Sequence, residues 1–150
     1  MSAAAITIRD LRSDERATWE PLWRAYLAFY ESREIPEATD AAWRRAHDPA
    51  EPMHIVGAFV DGELLGIAQY LFHRSFWTPG DYCYLQDLFV ANRARGKGLG
   101  RALIAAVEER ARAAGASRLH WLTREENRTA RALYDKVADR SGFIQYRKIL

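Results

Sequence analysis

The run Arg95-Gly96-Lys97-Gly98-Leu99-Gly100-Arg101 combines what an anionic ligand needs. Glycines let a backbone turn tightly and come close to a guest. Leu99 opens a helical pattern, and the first N–H groups of a helix have no internal partner. Aligned peptide dipoles place partial positive charge at the same end. A phosphate is the natural occupant of such a tip. Arg93, Arg95, Lys97 and Arg101 add full positive charges around it.

Other positions can bind or move protons. Asp87 interrupts the apolar run Leu85 to Val90 just ahead of the glycine turn. Asn127, Ala130 and Tyr134 stand at i, i+3 and i+7, so a helix places them on one face. Aromatics beside carboxylates occur in Phe29-Tyr30-Glu31-Ser32-Arg33-Glu34, and Trp77 lies in the loop Trp77 to Asp81. That combination suits a cationic amine, through charge pairing and cation–π attraction.

These residues need elements to hold them. Alternation at Ile6 and Ile8 predicts a short first strand. Trp19, Leu22, Trp23, Tyr26, Leu27 and Tyr30 form one apolar helical face, with Pro21 in the first turn of a helix beginning near Trp19. A second helix is expected around Thr39 to Ala46. Ile55–Val60 and Leu64–Phe72 read as a hairpin joined at Asp61-Gly62. Tyr82–Val90 is a strand that leads into the glycine turn. A helix from Leu99 to Ala114 stops at Gly115. Strand Arg118–Thr123, helix Asn127–Val137 and a last strand Phe143–Ile149 complete the order. The expected fold class is α/β, with a mixed sheet flanked by helices.

The chain has 150 residues, the size of a single domain, and 49% of them are hydrophobic, enough for a core. Lys and Arg total 22 against 20 for Asp and Glu, a net charge of +2. Proteins that live on nucleic acid usually carry a stronger basic excess, and no aromatic platforms interleave the basic cluster. The lone Cys83 cannot form an internal disulfide, and neither it nor the four histidines show metal-ligand spacing. No stretch is apolar enough for a membrane span, which takes about 18 residues, and the N-terminus shows no secretion signal. A cytoplasmic protein is the default expectation.

With Arg95-Gly96-Lys97-Gly98-Leu99-Gly100 following a strand, and N-x-x-A-x-x-L-Y running from Asn127 through Ala130 and Leu133 to Tyr134, the chain resembles the GNAT superfamily of N-acetyltransferases. The ending A-R-A-L-Y-D-K-V-A-D-R-S-G-F-I-Q-Y-R-K resembles small members that include fungal histone and polyamine acetyltransferases. The resemblance implies a mostly antiparallel sheet of six to seven strands with about four helices. It also implies a V-shaped split between the fourth and fifth strands that admits acetyl-CoA. Backbone N–H groups of Gly96, Lys97, Gly98, Gly100 and Arg101 would then hold the pyrophosphate, with Arg95 and Leu99 in the same turn. Leu88, Phe89 and Val90 would hold the pantetheine arm, with the Val90 N–H on the thioester carbonyl. Asn127 and Ala130 would border that arm, and Tyr134 would protonate the departing thiolate. Related small members pair through their C-terminal strands, which implies a homodimer.

The base is left open by the residues. Asp87 has the right place for one, and equally could bond nearby backbone and shape its strand. Glu31 and Glu34 are alternatives that act through water, or are solvated loop charges. Tyr30, Glu31, Glu34 and Trp77 are the candidate acceptor contacts for a polyamine, a lysine side chain or a small amino compound. The rival reading is a non-catalytic module that binds acetyl-CoA, phosphate or nucleic acid. The turn lacks the G-x-G-x-x-G spacing of dinucleotide enzymes and the Lys-Ser/Thr pair of a P-loop.

Overall fold

In the computed structural model, which describes residues 5–150, β1 (Ile6–Asp10) leads through a 3-10 turn into α1 (Arg16–Phe29) and α2 (Pro36–Ala46). Then come β2 (Met53–Val60), β3 (Glu63–His73), β4 (Tyr82–Val90), α3 (Leu99–Ala113), β5 (Arg118–His120) and α4 (Arg128–Val137). The strands form one sheet in the order β1-β2-β3-β4-β5. The first three pairs are antiparallel, and β4 and β5 run parallel across the α3 crossover. The first residues, on which the secretion-signal reading partly rests, include 1–4 and so lie outside the described residues.

Local chemistry explains most boundaries. Asp61 and Gly62 both have positive φ, +51° and +81°, which is the hairpin turn whose twist matches its strands. α1 begins at Arg16, earlier than the expected Trp19, because the Glu15 carboxylate accepts the Arg12 N–H at 2.7 Å and closes the preceding turn. Pro21 is tolerated inside the helix because both it and Ala17, whose carbonyl loses its partner, face water.

Two layers cover the sheet. On one face α1 and α2 bring Trp19 and Trp43 onto Phe59, Leu64, Ile67 and Phe89. On the other face α3 sets Leu99, Leu103, Ile104 and Val107 against Val56, Ala58, Ala68, Cys83 and Leu85, with Leu133, Tyr134 and Val137 of α4 at its margin. The fully buried Trp19 ring lies 4.9 Å from that of Trp43.

A bulge decides which layer each β4 side chain meets. Gln69 pairs with Asp87 but Tyr70 pairs with Leu85, so Gln86 is the extra residue. Before it Cys83 and Leu85 face α3; after it Leu88 and Val90 do. Asp87 and Phe89 are thereby turned toward α1. Unbroken alternation would have driven the Asp87 carboxylate into the α3 core.

Three expectations need correction. The described residues hold five strands rather than six to seven. The expected last strand, Phe143–Ile149, does not form: Phe143 and Tyr146 are about nine-tenths exposed, and the segment pairs with none of the strands among the described residues. The fifth strand stops at His120 rather than Thr123. The cause is the predicted split itself, since β4–β5 pairing covers only Tyr82–Tyr84 against Arg118–His120, after which the two strands diverge.

Candidate active site

The open edge of β4 is the floor of the site. The Ala91 N–H bonds the Leu65 carbonyl at 2.8 Å, toward β3. Strand alternation then turns the N–H groups of Val90 and Leu88 the other way, toward the split. Phe89 anchors the strand, its ring buried in the α1 layer.

The glycine turn closes one end of this edge. Gly96 and Gly98 have φ of +79° and +83°, the left-handed region that favours glycine. Gly98 is the N-cap of α3 and supplies no side chain, so the following N–H groups remain open to a guest. A methyl group placed on Gly96 or Gly98 would meet nothing within 4 Å, so the space before the turn is free. Gly100 instead lies against α4, with Leu133 3.5 Å from where a methyl would stand. Leu99 is buried and pins the turn to the core. Lys97 and Arg101 are exposed at the tip. Arg93 is engaged by Glu63 at 2.5 Å. Arg95 folds back: its Nε reaches the Val90 carbonyl at 3.3 Å, and its guanidinium covers Phe29 and Phe89. A diphosphate fits this donor set, which offers open main-chain N–H groups and two exposed cations.

α4 forms the opposite wall. Asn127, at its start, donates from Nδ2 to the Thr123 hydroxyl at 3.1 Å. Ala130 and Tyr134 are half-buried. The Tyr134 ring meets Trp121 edge-on at 5.5 Å, and burial, with the Tyr30 hydroxyl nearby, pushes its pKa up to about 12. Tyr30 also lies under the Arg124 guanidinium and 5.1 Å from the Tyr26 ring.

Asp87 lies on the α1 side of the floor. Gln69 donates to its Oδ2 at 2.8 Å, and the Tyr26 hydroxyl lies beside it. Burial raises its pKa above the usual carboxylate value, while Gln69 and Tyr26 pull the other way. Tyr84 faces the same space and stacks on His120 at 5.0 Å.

Tyr30, Asp87, Tyr134, Asn127 and the glycine turn therefore border one split. Trp77 does not join them. It is 89% exposed in the loop before Tyr82, at the far end of β4. Glu34 is committed to Arg24 at 3.2 Å and to the Thr39 hydroxyl at 3.4 Å. Glu31 sits exposed at positive φ in the α1–α2 turn. Tyr26, Gln69, Tyr84 and Arg124 were missed from sequence. Gln69 carried the same signal as Asp87, a polar residue inside an apolar strand, whereas Tyr26 was absorbed into a helical stripe.

The geometry can be set beside known proteins. A family profile described as "Acetyltransferase (GNAT) family" matches residues 9–138. The D-amino-acid N-acetyltransferase HPA3 of Saccharomyces cerevisiae is 32% identical over 145 residues, 95% of this chain and 90% of that protein. The thialysine N-epsilon-acetyltransferase of Caenorhabditis elegans is 32% identical over 111 residues, 74% of this chain and 69% of that one. Among solved structures, AAC(6')-Iy in complex with the bisubstrate analogue CoA-S-monomethyl-acetylneamine superposes with a TM-score of 0.83 at 20% identity, covering 98% and 100% of the two chains, which speaks to the fold. Together with the open strand edge and the glycine-capped helix, these matches place the chain in the acetyltransferase (GNAT) family: it is an acyl-CoA-dependent N-acetyltransferase, with acetyl-CoA as its donor.

Proposed function

We propose that this enzyme moves an acetyl group from acetyl-CoA to a primary amine by direct attack in a ternary complex. The observation that carries this reading is the unpaired β4 edge, bounded by the glycine turn at one end and by Asp87 and Tyr134 on its two sides. The bound donor supplies an activated thioester. Main-chain N–H groups from Gly96 to Arg101 hold its pyrophosphate, helped by Lys97 and Arg101. Leu88, Phe89, Val90, Asn127 and Ala130 line the pantetheine arm. The Val90 N–H stabilises charge that develops on the carbonyl oxygen, a service worth about 3–4 kcal/mol in comparable oxyanion sites. Asp87 accepts the proton of the acceptor ammonium, and the freed nitrogen forms the new C–N bond as the C–S bond breaks. Tyr134 gives its proton to the leaving sulfur. Its raised pKa keeps that proton in place through neutral pH.

The acceptor is a polyamine, a lysine side chain or a small amino compound. As their names say, HPA3 acts on D-amino acids and the nematode relative on thialysine. Arg124, over Tyr30 at the mouth, suits a carboxylate on the same small molecule. A panel of polyamines, amino acids of both hands, lysine peptides and aminoglycosides, assayed for free CoA, tests this. Release with at least one amine is expected. Tight acetyl-CoA binding with no release for any amine would overturn the catalytic reading.

A homodimer is part of the same proposal. Phe143, Ile144, Tyr146, Ile149 and Leu150 are exposed, and among the described residues β5 is an edge strand with nothing paired on its outer side. A second copy of this segment suits that edge. Residues 1–150 act as one transferase domain, with a cytoplasmic location consistent with a reduced, buried Cys83.

A further inference from the structure

A polar chain crosses the α1 face of the sheet from Trp19 to Asp87, and each donor in it can be assigned. An indole N–H only donates. Trp19 Nε1 reaches Gln69 Oε1 at 2.8 Å, so that atom must be the amide oxygen. The other end of the amide, Nε2, then donates to Asp87 Oδ2 at 2.8 Å. Side-chain amides turn over with little change of shape. Here a turnover would oppose two N–H groups at Trp19 and two oxygens at Asp87, losing both bonds. Trp19 cannot move to relieve this, being fully buried, stacked on Trp23 at 5.9 Å and packed at a tilt against Trp43 at 4.9 Å. Gln69 is also the cross-strand partner of Asp87, at the step where the bulge begins.

We propose that Gln69, locked by Trp19, is a positioning residue for acetyl transfer, holding the Asp87 carboxylate in one rotamer and in its anionic, proton-accepting form. This role presupposes Asp87 as the base. Burial alone would favour the neutral acid, which has no free capacity to take the amine's proton. The amide N–H₂ opposes that by bonding the charged form. The other titratable groups around Asp87 are Tyr26 from α1 and Tyr84 from β4, with Tyr30 behind Tyr26 and His120 of β5 stacked on Tyr84. None of these supplies a positive charge near neutral pH: burial lowers the pKa of His120, and the tyrosines are neutral. The amide is therefore the fixed neutral donor that steadies the anion alongside the Tyr26 hydroxyl.

Gln69→Met keeps the length of the side chain and removes its donor. Two readouts are needed: the acid limb of kcat/KM for the best amine of the panel, and a carbon-13 titration of the Asp87 carboxyl in the intact protein. Both should move upward by about one pH unit, the size expected for one lost bond to a charged group. Activity should recover to within about threefold of wild type on the alkaline side of the shifted limb. Trp19→Phe, which frees the amide to turn over, should move both readouts in the same direction. The double variant should go no further than Gln69→Met, because Trp19 acts only through Gln69. A merely structural role would lower Tm and leave both titrations alone. If the Asp87 carboxyl titrates unchanged in both single variants while Asp87→Asn flattens the acid limb, Gln69 is not the positioning residue and Asp87 remains the base. If the carboxyl moves and the limb does not, Asp87 is not the base, and the role of Gln69 in the reaction falls with it.

Discussion

Gly98 offers a sharp test of the phosphate cradle, because strain and charge can be separated at one atom. Its φ is +83°, and a Cβ there points into open space. Gly98→Ala therefore meets no clash and bears only the left-handed backbone penalty, about 1–2 kcal/mol, or a Tm lower by about 2–8 °C. Gly98→Asn and Gly98→Asp are close in shape, and both tolerate that backbone region better than alanine. They differ by one negative charge. At about 4 Å from a phosphate oxygen, with an effective dielectric near 20, the repulsion is about 4 kcal/mol, or about three decades in Kd. Solvent and salt at this exposed turn reduce that to about one to two decades. Calorimetric titration with acetyl-CoA and thermal melts of the three variants separate the effects. Similar melting for Asn and Asp is expected, with tenfold to a hundredfold weaker binding for Asp that partly recovers at high salt. Equal affinity of the Asn and Asp variants would mean that no phosphate lies before this turn.

Tyr134→Phe should lower kcat by about 10²–10⁴ while changing acetyl-CoA affinity little, as single-turnover rates and calorimetry would show. Because burial keeps Tyr134 protonated to about pH 12, it should contribute no alkaline limb below about pH 10; an alkaline limb in that range that vanishes in the phenylalanine variant would contradict this. Asp87→Asn should flatten the acid limb of kcat/KM. It should also raise Tm at neutral pH: the folded pKa of Asp87 lies above its unfolded value, so its charge opposes folding increasingly as pH rises through the folded value, and a lower Tm at pH 7 would contradict that sign. Glu15, held by Arg9 at 2.8 and 2.9 Å, has its pKa depressed from 4.5 to about 2, so its support is full above 4.5 and is lost as pH falls toward 2. Glu15→Gln should cost about 1 kcal/mol at pH 7 and clearly less at pH 2, where the folded carboxyl is about half protonated, read from denaturant melts at the two pH values.

The elements proposed to bind the donor were legible because their chemistry is local. A glycine turn before a helix and three residues on one helical face can be read from spacing alone, and Gly98, Asn127 and Tyr134 lie where that spacing puts them. The hairpin at Asp61-Gly62 was legible for the same reason. The proposed acceptor side was not, because it depends on long-range pairing. Nothing in the spacing of Gln69 and Asp87 reveals that they are register partners, or that Trp19 is fixed behind them. Trp77 has an aromatic's promise but sits on a loop that the length of β4 carries away from the split. The segment Phe143–Ile149 alternates like a strand, yet a strand exists only beside another, and propensity says nothing about who provides the edge.

Gln86 matters less for what it is than for being there. Its side chain points to solvent, so most substitutions at 86 should pass unnoticed. Removing the residue would only close the bulge: Leu85 would still stand opposite Tyr70 and Asp87 opposite Gln69, so the carboxylate would keep its face. What goes with the extra residue is the local bend and added twist that a bulge gives its strand. The floor would run straighter past the split, and its two walls would meet it at another angle. Surveys built from substitutions would score this position as neutral, and only a library of single-codon deletions would show how much of the shape rests on that kink.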